Sequence, residues 1–127
     1  MGKKILMIDD EINFCKLVKM NLESTGDFTV ETVSDGKEGI KLAKKIKPDL
    51  ILLDVMMPGI SGIEVLERLK KDRDTVAIPV AMLSIKRDEF IKFEAAQLYD
   101  EDYITKPIDA PSLKAKIEEI LKRRGVW

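Results

Sequence analysis

Short apolar runs alternate along this chain with longer segments in which apolar residues return every three or four positions. Lys3 to Ile8 is such a run. Ile12, Cys15, Leu17, Val18 and Leu22 then recur at helical spacing until Ser24-Thr25-Gly26 stops them. Phe28 to Val33 alternates as a strand, and Asp35-Gly36 opens a second helix with Ile40, Leu42, Ala43 and Ile46 inside and Pro48 as its end. Leu50 to Leu53 is apolar without alternation, the pattern of a parallel strand covered on both faces, and it closes on Asp54. Beyond the Met56-Met57-Pro58-Gly59 loop, Ser61 caps a helix running through Leu66 and Leu69. Ile78 to Leu83 reads as another strand, ending in Ser84. Lys86 to Leu98 has helical spacing, Tyr103-Ile104-Thr105 is a short strand, and a last helix runs from about Pro111 to Arg123.

Five strands alternating with five helices predict an α/β fold, because right-handed crossovers return each strand parallel to an earlier one. The expected architecture is a flavodoxin-like, doubly wound (βα)5 sandwich with its five-stranded parallel sheet in the order 2-1-3-4-5. Ligands of such sheets bind outside the carboxyl ends of the strands, where the first and third are neighbours. That rim collects Asp9 and Asp10 from the first strand, Asp54 from the third, Ser84 from the fourth and Lys106 from the fifth. At 127 residues the chain fits one domain, expected over residues 1–124, with 125–127 as a tail or the start of a linker.

The stretch Ile5-Leu6-Met7-Ile8-Asp9-Asp10-Glu11 ends a buried-looking strand in three acids. Two readings compete: acids favoured at the start of a helix by its dipole, or a cation site with partners elsewhere in the chain. Asp54 is the natural partner. Ionised carboxylates this close raise one another's pKa values unless a cation is held among them. With oxygen donors only, Mg2+ suits the site, Mn2+ also, better than zinc. A phosphoryl group there would be neutralised by the metal and Lys106, with Ser84 donating a hydrogen bond. Asp54, ionised at an ordinary carboxylate pKa, would attack phosphorus directly to give an acyl phosphate.

Composition narrows the field further. No histidine is present, which excludes His-ligated metals, His-based catalytic triads and phosphohistidine chemistry carried by this chain. A net charge of −1 supplies no broad basic field for nucleic acid, and Lys122-Arg123-Arg124 reads as cations closing the last helix. Cys15, the single cysteine, allows no internal disulfide. With no signal peptide pattern and no apolar run approaching the roughly 18–20 residues of a membrane span, the expected location is cytoplasmic.

The pieces MIDDE, LLDVMMPGISG, AMLS and YITKP, in this order and at these separations, resemble the response-regulator receiver domain of bacterial two-component signalling, as in chemotaxis regulators, over essentially the whole chain. The resemblance implies that Asp54 is the phosphoacceptor, that Asp10 and Asp54 ligate Mg2+ directly, that Asp9 acts through a metal-bound water, and that Met56 lends its backbone carbonyl. It implies that Lys106 pairs with the phosphoryl group, that the Lys106-Pro107 bond is cis, and that Gly59 and Gly62 shape the loop and helix start beyond the acceptor. Ser84 and Tyr103 would form the switch, Tyr103 turning inward from an exposed position as Ser84 moves toward the phosphoryl group. The readout face would comprise the fourth helix, fifth strand and last helix, a face through which transcription-controlling receivers commonly dimerise. Implied partners are a sensor histidine kinase or phosphotransfer protein and an output domain or target. The domain would act only on its own phosphorylation and dephosphorylation, not as an enzyme on other substrates.

Three features depart from the family's usual pattern. Ile85 stands after Ser84 where a small residue is usual, Leu98-Tyr99-Asp100 replaces a Gly-containing helix exit, and Met56 and Lys86 fill positions that tune phosphate lifetime. A flavodoxin-type carrier would need a Ser/Thr/Gly-rich phosphate loop after strand one, and an aspartyl-phosphate phosphatase would want an acid where Met56 stands. A degenerate receiver serving as a docking module would lack part of the set Asp9, Asp10, Asp54, Ser84 and Lys106.

Overall fold

The computed structural model describes residues 2–85 and 101–127. In chain order it contains β1 (Lys3–Ile8), α1 (Ile12–Glu23), β2 (Phe28–Val33), α2 (Gly36–Ile46), β3 (Leu50–Asp54), α3 (Gly62–Lys71), β4 (Val80–Ile85), β5 (Asp102–Lys106) and a C-terminal helix, Ala110–Arg123. All strand pairings are parallel and the sheet order is β2-β1-β3-β4-β5, as the sequence pattern predicts. The helix expected from Lys86 to Leu98, the Lys86 position and the Leu98-Tyr99-Asp100 exit lie outside the described residues.

Side chains along a strand alternate between faces, and here both faces are apolar. Ile5, Met7, Leu50, Leu52, Ala81, Leu83 and Ile104 pack against Cys15, Val18 and Leu22 of α1 and Leu113, Ile117, Ile120 and Leu121 of the C-terminal helix. Leu6, Ile8, Ile51, Leu53, Val80 and Met82 pack against Ala43 of α2 and Val65, Leu66 and Leu69 of α3. The unbroken apolar runs of β1, β3 and β4 are thus the consequence of double coverage. Edge strand β2 buries Phe28 and Val30 but exposes Thr29 and Glu31, so it alternates.

Local signals set the helix starts. Asp35 accepts from the Glu38 amide, Ser61 from the Glu64 amide and Asp109 from the Ser112 amide, each satisfying a donor that the helix itself leaves free. β4 begins at Val80, two residues later than its apolar run, because Pro79 has no amide to give to a ladder; its carbonyl accepts from Ile51 N at 3.0 Å instead. The tail folds back: Val126 packs on the α1-side core and the Trp127 ring meets Phe28 edge-on at 5.1 Å. No helix among the described residues is long and apolar enough to cross a membrane.

Helix α2 stops as expected before Pro48, through a left-handed residue. Lys47 has φ of 46° while its amide still bonds Ala43 O at 3.0 Å. A side chain in that region is strained, whereas glycine is not. Lys47→Gly should therefore stabilise the domain by roughly 0.5 kcal/mol, glycine's greater freedom when unfolded offsetting part of the gain. The change is read as a higher denaturant midpoint at unchanged slope.

Candidate functional site

Parallel register brings the strand ends to one rim. Ile8 pairs with Leu53, so the next residues, Asp9 and Asp54, stand side by side; Asp54 pairs with Leu83 and Ile85 with Lys106. Alternation turns Asp9, Asp54 and Lys106 the same way as Met7, Leu52 and Ile104, toward α1. All three are buried, at 1%, 6% and 8% exposure. Lys106 Nζ donates to Asp9 Oδ2 at 2.8 Å and to Glu11 Oε1 at 2.9 Å, and lies 3.7 Å from Asp54 Oδ1. The last distance is an ion pair without a hydrogen bond.

The run of acids is therefore not a helix cap. Glu11 holds the N-cap position of α1 but its side chain makes no capping bond, and the first turn contains no acid. Asp9 Oδ1 instead accepts from the Glu11 amide at 2.9 Å. Cys15, one turn into α1, donates its thiol to the Asp9 carbonyl at 3.4 Å; burial and the Asp9 charge push that thiol up to about 12, which leaves it protonated and unreactive.

Asp54 departs from expectation. Its carboxyl is pushed up to about 7, first by burial, then by the Asp9 charge, with Lys106 pulling the other way and Asp10 within hydrogen-bonding reach adding to the rise. The ordinary carboxylate pKa expected from sequence does not hold while Lys106 is the cation facing these acids. Burial pulls the Lys106 ammonium down, yet its hydrogen bonds to Asp9 and Glu11 and the Asp54 charge outweigh that, and its net displacement is upward.

One oxygen each from Asp9, Glu11 and Asp54 lie within 4.8 Å of one another. Oxygens octahedrally placed at about 2.1 Å from Mg2+ stand about 3–4 Å apart, so modest side-chain shifts bring this donor set to that geometry. The all-oxygen chemistry fits a hard divalent ion. Glu11 is the residue that sequence reasoning left without a role; the readable signal was a glutamate where a helix start favours Ser, Thr, Asp or Asn. Asp10 is exposed on the same rim, beside Asp54.

The remaining candidates flank this cluster. Ser84 Oγ is buried and has no hydrogen-bond partner among the described residues. Tyr103 sits on the opposite face from Lys106, packed against the core beneath α2 and α3. It is half-buried here, where the sequence led us to expect an exposed position, and burial followed by the Glu101 charge pushes its hydroxyl up to about 12. Met56 is 52% exposed in the loop after β3, while Met57 packs on the core. Gly59 has φ of 82°, and a Cβ on Gly62 would lie 2.0 Å from the Asp54 carbonyl oxygen. Ile85 joins Glu11, Phe14, Lys106, Pro107 and Ile108 around a cleft of about 240 Å³, and the Lys106-Pro107 bond is cis.

A five-stranded parallel sheet in the order β2-β1-β3-β4-β5, with buried acids and a lysine on its carboxyl rim, places the chain in the flavodoxin-like class of doubly wound domains. The chain belongs to the response regulator receiver domain family, whose model matches residues 5–118. It is 43% identical over 126 residues to the alkaline phosphatase synthesis transcriptional regulatory protein PhoP of Bacillus subtilis, covering 99% of this chain and 51% of the relative. It is 40% identical to the phosphate regulon transcriptional regulatory protein PhoB of Pseudomonas aeruginosa, covering 98% and 54%. The chain thus spans about half the length of these curated relatives. Among solved structures, the chemotaxis protein CheY4 of Vibrio cholerae matches with a TM-score of 0.85 at 26% identity, covering 95% of this chain and all of that one. The receiver domain of the Francisella response regulator 1452 matches at 0.83 and 30%, covering 96% and 98%.

Two measurements follow from this geometry. Gly62→Ala drives a methyl into backbone and should destabilise the fold by about 2–4 kcal/mol, read by denaturant titration; a variant as stable as the parent would contradict the close approach. For pH, Asp54 holds a proton in the folded state up to about 7 but releases it at about 3.8 when unfolded. The unfolded chain binds fewer protons across that window, so stability falls as pH rises through it, and the full cost is present above the folded value. In EDTA, Asp54→Asn should remove a loss on the order of 2 kcal/mol between pH 5 and 8.

Proposed function

We propose that this domain is a phosphorylation-driven signalling switch in which Asp54 accepts a phosphoryl group from a sensor histidine kinase or phosphotransfer protein. The observation that carries the reading is the convergence of buried Asp54 with Asp9, Asp10 and Lys106 on one rim of the sheet. An Asp54 carboxylate oxygen attacks phosphorus; the new O–P bond forms as the donor's P–N bond breaks, and the electron pair leaves on the donor imidazole nitrogen. This chain contains no histidine, so it cannot supply that imidazole itself.

Asp10 and Asp54 would hold Mg2+, or Mn2+, directly, Asp9 through a water, and Met56 through its backbone carbonyl. When bound, the ion supplies charge neutralisation at the phosphoryl oxygens and stabilises ionised Asp54. Lys106 needs a short swing to meet the phosphoryl group, since its ammonium stands 3.7 Å from Asp54. The orphaned Ser84 hydroxyl is a ready donor to another phosphoryl oxygen. Its movement would free space for Tyr103, and the face containing β5 and the C-terminal helix, with the expected fourth helix, would carry the signal to an output domain or a homodimer partner. Because the matched relatives are transcriptional regulators about twice as long, control of transcription is the output we favour. The domain would act catalytically on its own phosphate alone.

Intact mass after incubation with acetyl phosphate tests the assignment. We expect one added phosphoryl group with magnesium, none in EDTA, and none on Asp54→Ala. A wild-type chain that never gains mass with magnesium present defeats the reading.

A further inference from the structure

Glu11 occupies a position whose usual duty it does not perform. At the N-cap of α1 a Ser, Thr, Asp or Asn accepts from the first free amides and is worth about 1 kcal/mol, yet the Glu11 carboxylate caps nothing. It reaches instead to Lys106 Nζ, 2.9 Å away and 95 residues distant in sequence. Its own backbone is fixed by Asp9, whose Oδ1 takes the Glu11 amide while Oδ2 takes the Lys106 ammonium. Phe14, on the first turn of α1, presents its ring 5.1 Å from the same ammonium. Glu11 is 59% exposed, and an exposed partner adds little stability to an ion pair. Stability is therefore a weak reason for the contact; the position it gives the lysine is a better one.

We propose that Glu11 is a positioning residue that parks the Lys106 ammonium on the α1 side of the rim, leaving the oxygens of Asp54 open to a divalent cation. The inference rests on the phosphoacceptor reading above. Two cations compete for the same acids, and the ammonium is the resident one. Glu11 and Phe14 pull it toward α1, so that it touches Asp9 but stands off Asp54. Without the Glu11 charge, Asp9 and Asp54 draw the ammonium between them, where it opposes metal binding. Once Asp54 carries a phosphoryl group, the added negative oxygens outbid a single exposed carboxylate and the ammonium swings across.

The test is a double-mutant cycle on magnesium affinity, measured by calorimetry on the intact chain without any phosphoryl donor. Glu11→Gln should weaken magnesium binding roughly 5-fold with Lys106 present and less than about 2-fold on a Lys106→Met background. Equal weakening on both backgrounds means Glu11 acts only as a nearby charge, and no weakening means it does not act; either overturns the proposal. If Lys106→Met does not fold, 15N spectroscopy of the Lys106 ammonium in wild type and Glu11→Gln replaces the cycle, an unmoved resonance counting against parking. Failure of phosphate uptake in the wild type would sink the phosphoacceptor reading and leave the magnesium result legible by itself.

Discussion

Everything at the rim follows from carboxylates forced together at the ends of β1 and β3 with one ammonium beside them, bonded to Asp9 and standing off Asp54. Parallel register and double coverage of the sheet leave Asp9 and Asp54 no route away from each other. Lys106 offsets this only in part: it satisfies Asp9 through a hydrogen bond and Asp54 through a looser pair, so Asp54 stays proton-hungry near neutrality. A site in that condition gains from any further positive charge, and its all-oxygen donors are of the kind a hard divalent ion takes.

The opposite end of the same strands is settled by contrast. Glu101, just before β5, is almost fully buried but pairs with Lys70 at 2.6 Å and accepts the Val80 amide at 3.1 Å. Lys70 also donates to the carbonyls of Val76 and Ile78, and Asp102 is held by Arg123 and Arg124 of the C-terminal segment. These charged groups have their partners, as buried polar groups in folded proteins generally do. The Ser84 hydroxyl, which has no partner among the described residues, and the mutually repelling acids lie at the carboxyl rim, where doubly wound sheets bind ligands.

Fold class, strand order and the rim set Asp9, Asp10, Asp54, Ser84 and Lys106 were legible because they depend on period and on which residue ends each strand, both of which are local. Boundaries were less so: β4 starts after Pro79 for want of an amide, a detail the apolar run from Ile78 conceals. What could not be read was long-range and electrostatic. Glu11 was visible as a third acid, but its engagement by Lys106 depends on where a strand 95 residues away comes to rest. The upward push of Asp9 on Asp54 was expected from the crowding of acids, but the larger cause, burial, depends on packing around the strand end that the residues beside Asp54 do not encode.

Strand alternation also divides the rim residues between two faces. Asp9, Asp54 and Lys106 share the α1 face, whereas Ser84 follows Val80 and Met82 to the other face, where Tyr103 packs beside Met82. Ser84 pairs with Thr105, two positions beyond Tyr103 and next to Lys106. On the proposed switch, a pull on Ser84 from the rim would be applied to the face that holds Tyr103, while the charge causing it would be balanced on the face that holds Lys106. Coupling between them need travel only through two adjacent strands. Because β4 is covered on both faces by close-packed side chains, a change at Ser84 is met by a discrete rearrangement of its neighbours more readily than by gradual yielding.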